Sequence, residues 1–128
     1  MRKKILIIGG TGFLGYHLAK KCLLKKWDVT SISTNRPKKI RFLSKVKYII
    51  LDITNKKILL KKIKSNYDYI VNFGGYVNHT EKFKTYQSHY NGSKNLIDFF
   101  LNKKIKSFLQ VGSCVEYGKN KSPQSKKL

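Results

Sequence analysis

Ile5-Leu6-Ile7-Ile8-Gly9-Gly10-Thr11-Gly12-Phe13-Leu14-Gly15 runs from an unbroken apolar tetrad straight into a glycine-rich turn. Four apolar residues in a row read as a strand buried on both faces, as strands of parallel sheets are. The spacing of Gly9, Gly12 and Gly15 suits a turn that cradles phosphates. Gly9 permits the tight turn off the strand, Gly12 lets the backbone approach a pyrophosphate with no Cβ in the way, and Gly15 lets the next helix pack closely on the sheet. The N-terminus of that helix then faces the phosphates with free N–H groups. A glycine triplet alone is a weak signal. Its context strengthens it, because Leu14, Leu18, Cys22 and Leu23 follow at helical spacing and place the glycines at a strand-to-helix junction.

Working outward, strand and helix signals alternate along the chain, the pattern of a parallel sheet with helices on both faces. Strands are expected over Lys4 to Ile8, Asp28 to Ser33, Lys47 to Leu51, Tyr69 to Phe73 and Ser107 to Val111. The first helix is expected over Phe13 to Lys25. A short second helix presents Ile58, Leu59 and Ile63, with Thr54 or Asn55 as its cap. A long helix should span Lys82 to Asn102, weakened in its middle by Gly92. Right-handed crossovers give the strand order 3-2-1-4-5. Residues 1 to 118 form one Rossmann-type α/β domain in this reading, and 119 to 128 a polar tail.

Cys22 and Cys114 fall in a helix and at a strand end, which fits reduced, buried thiols better than a disulfide. The apolar run after the basic start is too short for a secretory signal, and no later run could span a bilayer, so a soluble, cytoplasmic protein with no membrane partner is expected. The formal charge is +22, which raises nucleic acid or an anionic surface as partner. The cations are nearly all lysine, in short pairs spread over every helix and loop, and arginine stands only at positions 2, 36 and 41. A groove reader concentrates its charge and favours arginine. With Ala19 the only alanine, a bias toward AT-rich codons explains the lysines as well. Nonspecific, salt-sensitive affinity for polyanions is expected, but no specific nucleic-acid partner.

Ligands of such sheets bind beyond the carboxyl ends of the strands, so the residues there carry the chemistry. They are the glycine turn after strand one, Asp52-Ile53 after strand three, Asn72-Phe73-Gly74-Gly75 after strand four, and Val111-Gly112-Ser113-Cys114-Val115-Glu116-Tyr117-Gly118 after strand five. In this order they resemble the extended short-chain dehydrogenase/reductase family, the NAD(P)-dependent epimerases and dehydratases of nucleotide sugars. The resemblance covers the whole chain. It implies that Gly9, Gly12, Phe13, Leu14 and Gly15 hold the pyrophosphate. Asp52 would accept a hydrogen bond from the adenine amino group with Ile53 beside the ring, the alternative being that Asp52 caps the next helix. Phe73, Gly74 and Gly75 would run along the ribose and nicotinamide side. Ser113 would be the catalytic hydroxyl that hydrogen-bonds the reacting oxygen, and Tyr117-Gly118 only the structural end of its motif.

Three departures qualify the match. Strand two ends in Ser33-Thr34-Asn35-Arg36, where an NAD enzyme carries an acid for the ribose 2′-OH. A hydroxyl and a guanidinium accept a 2′-phosphate that a carboxylate repels, so NADP is favoured over NAD, unless Arg36 is simply a solvated cation. His89 occupies the place of a family asparagine, three residues before Gly92-Ser93, and is either a cofactor neighbour or an ordinary histidine. His17 is read as packing in the first helix, and His79 has no evident partner. Three scattered histidines make no metal site. Finally, the family's proton donor is the tyrosine of a Tyr-x-x-x-Lys pair about two dozen residues beyond the serine. Tyr90 with Lys94 and Tyr117 with Lys121 match by spacing but not by place.

The resemblance therefore implies the cofactor-binding part of an NAD(P)-dependent nucleotide-sugar epimerase, dehydratase or reductase, truncated after strand five and inactive alone. The nucleotide-sugar substrate belongs to the complete enzyme, as does any dimer. The alternative is a noncatalytic Rossmann module that senses NADP or regulates a partner.

Overall fold

The computed structural model describes residues 2–64, 66–74 and 87–111, with the backbone alone for 87–89. Five parallel strands, β1 (Lys4–Ile8), β2 (Asp28–Ser33), β3 (Lys47–Ile50), β4 (Tyr69–Asn72) and β5 (Ser107–Gln110), form one sheet in the order β3-β2-β1-β4-β5. This is the expected order, and strands three, four and five each stop one residue earlier than expected. β1 lies at the centre, with Ile8 opposite Ile32 on one side and Asn72 on the other. The carboxyl ends of β1, β2 and β4 therefore meet at one rim.

The side chains of β1 alternate between two cores, which is why its run is apolar throughout. Leu6 and Ile8 join Ile32, Leu51, Ile53, Ile70 and the helix residues Leu59, Ile63, Leu96 and Phe100 on one face. Ile5 and Ile7 join Val29, Val46, Val71, Ala19 and Cys22 on the other. Helix α1 (Phe13–Leu24) covers the second face, and α2 (Lys56–Lys62) with α3 (Ser93–Phe100) the first. Burial on both faces accounts for the layered architecture, at roughly 25 cal/mol per Å² of apolar surface removed from water.

Helix α1 ends in a Schellman turn. Trp27 N–H donates to Cys22 O at 3.0 Å and Lys26 N–H to Leu23 O at 2.9 Å. The left-handed position is taken by Lys26, at φ 63°, where glycine is usual. Helix α2 is capped by Asn55, whose Oδ1 accepts from Ile58 N at 3.2 Å. A single 3₁₀ turn, Lys39–Arg41, lies in the loop between β2 and β3. Where a regular helix is expected around Gly92, the backbone is π-helical over Gln87–Gly92 and becomes α-helical only at Ser93. Gly92, the helix-weakening residue, thus sits at the change of pitch. Among the described residues no helix is long and apolar enough to cross a membrane.

Candidate functional site

The rim at the carboxyl ends of β1 and β4 is built from glycines that have different reasons to be glycine. Gly9 lies at φ +84°, the left-handed region, and its N–H donates to Ile32 O at 2.8 Å, turning the chain off β1. Gly15 packs α1 against this turn: a Cβ there would come within 2.6 Å of Gly10 Cα. Gly12 is under neither constraint. Its φ of −78° and ψ of −179° suit any residue. Among the described residues a Cβ on it would meet only Gly9 O, at an ordinary 3.5 Å.

Gly12 is also the N-cap of α1, with no side-chain hydrogen bond at the cap and no acidic residue in the first turn. Helix N-termini leave donors that capping groups, water or ligands must satisfy. Here the turn offers N–H groups and the positive end of the helix dipole beside a position kept free of a side chain. A pyrophosphate is one group such features could hold, through the amides of Phe13, Leu14 and Gly15. The Phe13 and Leu14 side chains are exposed at 61% and 57%, so these two residues are placed by their backbone and not by core packing.

Of the expected residues from other elements, the structure brings Ser33, Phe73 and Gly74 to this turn. Ser33, at the end of β2, accepts a hydrogen bond from Thr11 Oγ1 at 3.2 Å, which puts its hydroxyl beside the glycine turn. Arg36 is exposed. Asp52 does not cap α2, since Asn55 does. Its Oδ1 instead accepts from Thr54 N at 2.9 Å and Thr54 Oγ1 at 2.7 Å, shaping the loop after β3 and leaving Oδ2 without a partner among the described residues. Ile53 points into the core at 8% exposure. Phe73 N–H donates to Ile8 O at 2.9 Å and continues the pairing of β1 with β4. At Gly74 a Cβ would lie 2.8 Å from Ile8 Cγ2, so this position too excludes a side chain. Gly75, Ser113, Tyr117 and Lys121 lie outside the described residues, as does His79. Of His89 only the backbone is described, within the π-helical segment.

Three further residues join the site with no local pattern to announce them. Arg41 brings its guanidinium to 5.9 Å from the Phe13 ring centroid, at the mouth of the turn. Asn95 on α3 donates to Ile53 O at 2.9 Å and Thr54 O at 3.3 Å, tying that helix to the loop that carries Asp52. Asn72, at the end of β4, is fully buried and hydrogen-bonded to Ser93 on α3, to Gln110 on β5 and to the Gly74 amide just beyond its own strand. Apart from the bond to Gly74, each contact spans a long stretch of chain, and only the place of Asn72 at a strand end, two residues before Gly74, offered a hint.

Of the Tyr90–Lys94 pair, the lysine is engaged by a carboxylate one turn on. Lys94 Nζ pairs with Asp98 at 2.8 Å on the exposed side of α3. Its hydrogen bond to Asp98, together with the carboxylate's charge, holds the ammonium above the ordinary lysine range. Among the described residues no group of histidine, cysteine and carboxylate side chains could hold a metal ion.

A family model described as the NAD dependent epimerase/dehydratase family matches residues 5–128. The chain belongs to that family. No curated protein sequence matches it. Among solved structures, an epimerase from Methanothermobacter thermautotrophicus superposes with a TM-score of 0.87 at 16% identity, over 98% of this chain and 40% of its own. The Bordetella bronchiseptica enzyme WbmG, solved with NAD, gives 0.82 at 20% identity over 92% and 40%. The Thermotoga maritima UDP-glucose 4-epimerase, solved with UDP-glucose, gives 0.76 at 17% over 84% and 37%. At these identities the likeness shows the fold alone. The chain of this epimerase/dehydratase family member spans less than half the length of those structures.

Proposed function

We propose that the chain supplies the cofactor-binding part of an NAD(P)-dependent epimerase, dehydratase or reductase acting on nucleotide sugars. The observation that carries this reading is Gly12, which nothing among the described residues requires to be glycine, at a helix end with no side-chain cap among those residues. Family membership and the NAD and UDP-glucose held by the structural neighbours support it. When bound, the nicotinamide ring of such a cofactor takes up or returns a hydride. The chain's own residues bind and orient: the amides of Phe13, Leu14 and Gly15 hold the pyrophosphate, Asp52 with its remaining oxygen receives the adenine amino group, and Phe73, Gly74 and Gly75 line the ribose and nicotinamide side. His89 stands near the cofactor in this scheme, and Ser113 donates a hydrogen bond to the reacting oxygen.

The absence of a carboxylate from Ser33 to Arg36 favours NADP over NAD. Ser33 and Arg36 are the residues proposed to meet the 2′-phosphate. Titration of nicotinamide fluorescence with NADPH and NADH tests the reading. Saturable binding with NADPH preferred is the expected result, preference for NADH overturns the roles of Ser33 and Arg36, and no binding of either overturns the cofactor reading.

A further inference from the structure

Asn72 is the one side chain in the molecule through which the end of β4, the end of β5 and the first turn of α3 are joined by hydrogen bonds among the described residues. It is 0% exposed. Its Nδ2 donates to Gln110 Oε1 on β5 at 2.9 Å and to Ser93 Oγ, the first residue of α3, at 3.2 Å. Its Oδ1 accepts from Gly74 N–H at 2.9 Å. The two donor bonds fix which way the carboxamide faces, and so hold its oxygen toward Gly74.

Gly74 matters because of what lies against it. The place where a Cβ of Gly9 would stand is 3.2 Å from Gly74 N and 3.2 Å from Phe73 C. The backbone held by Asn72 is thus the floor on which the left-handed Gly9 turn rests. A buried carboxamide with all its partners inside the protein contributes directional constraint beyond its net stability. Substituting it would free the Gly74 amide to turn and let the floor shift by tenths of an ångström, a tolerance that ligand sites rarely have.

We propose that Asn72 is a positioning residue of the dinucleotide site, acting through the Gly74 amide and the Gly9 turn without touching the ligand. The proposal rests on the cofactor reading above. Asn72→Leu, close in volume and unable to hydrogen-bond, is expected to weaken NADPH and NADH binding at least tenfold in fluorescence titration. It should also abolish the slow hydrogen exchange of the Gly74 amide. Leu96→Ala, which opens a cavity in the neighbouring core and lowers Tm, is expected to leave affinity within about threefold. Equal losses in the two variants, or unchanged affinity in Asn72→Leu, would overturn the proposal while the cofactor reading stands. A wild-type chain that binds neither dinucleotide overturns that reading and this proposal with it. Should Asn72→Leu not fold, hydrogen exchange in the wild-type chain decides. A Gly74 amide that is slow in the free protein and slower with NADPH supports the proposal, and one that exchanges at the free-peptide rate overturns it.

Discussion

At the scale of single residues, Gly12 and Gly15 are expected to part company. Gly15→Ala forces a Cβ onto the backbone of Gly10 and should cost about 2–3 kcal/mol in chemical denaturation, since backbone cannot step aside as a flexible side chain would. Gly12→Ala should cost under about 1 kcal/mol, because the new methyl meets only an ordinary contact. It should nevertheless weaken dinucleotide binding at least tenfold. Equal effects of the two changes on stability would refute the assignment of Gly12 to the ligand. Ser31 gives a prediction of opposite sign. Its hydroxyl is buried with no hydrogen-bond partner among the described residues, so Ser31→Ala should be neutral or stabilising by about 1 kcal/mol, read as a rise in the denaturation midpoint. The same hydroxyl lies directly beneath Gly10. A side chain at Gly10 is therefore excluded by a neighbour twenty-one positions on, a constraint invisible in the glycine spacing itself.

Elements carry their own signs. The Schellman turn that ends α1 places Lys26 at φ 63°, a conformation that costs a residue with a Cβ about 1–2 kcal/mol. Lys26→Gly should therefore raise stability by about 0.5–1 kcal/mol, allowing for the extra freedom glycine gains in the unfolded chain, and thermal melts would show it. Asn55→Ala should lower stability by about 1 kcal/mol through loss of the α2 cap. The strands, α1 and α2 were legible because their signals are local: apolar runs between turn residues, helical spacing, and a capping side chain just ahead of Lys56. The pitch change at Gly92 was legible only as a weakness, since glycine marks where a helix can yield without saying how. Asn95 and Arg41 were not legible, and Asn72 only as a residue at a strand end, because their roles arise from partners brought close by the sheet order. Asp52 was legible as a polar residue at a strand end, but its bonds to Thr54 depend on a loop shape that no spacing encodes.

Across the whole molecule, 28 basic residues face 6 acidic ones. Two ion pairs relieve this charge among the described residues, Arg2 with Asp28 and Lys94 with Asp98, and both are exposed. Such pairs are worth little, so repulsion between cations is expected to oppose folding. Raising sodium chloride from about 50 to about 500 mM shortens the screening length from roughly 14 to 4 Å and should stabilise the fold by about 1 kcal/mol, or a few degrees in Tm. The same salt should weaken binding of an anionic dinucleotide several-fold. A melt and a titration that moved in the same direction would contradict this balance. At the amino end of the sheet, Trp27 stacks on Tyr69 with ring centroids 5.2 Å apart, and Lys3 sits over its ring. It is the chain's only tryptophan. β1 separates it from the glycine turn by about 17 Å, the rise of a five-residue strand. That is too far for a ligand on the rim to touch the indole, yet close enough for resonance energy transfer to a reduced nicotinamide, so the fold carries a single indole donor at a set distance from its own candidate site.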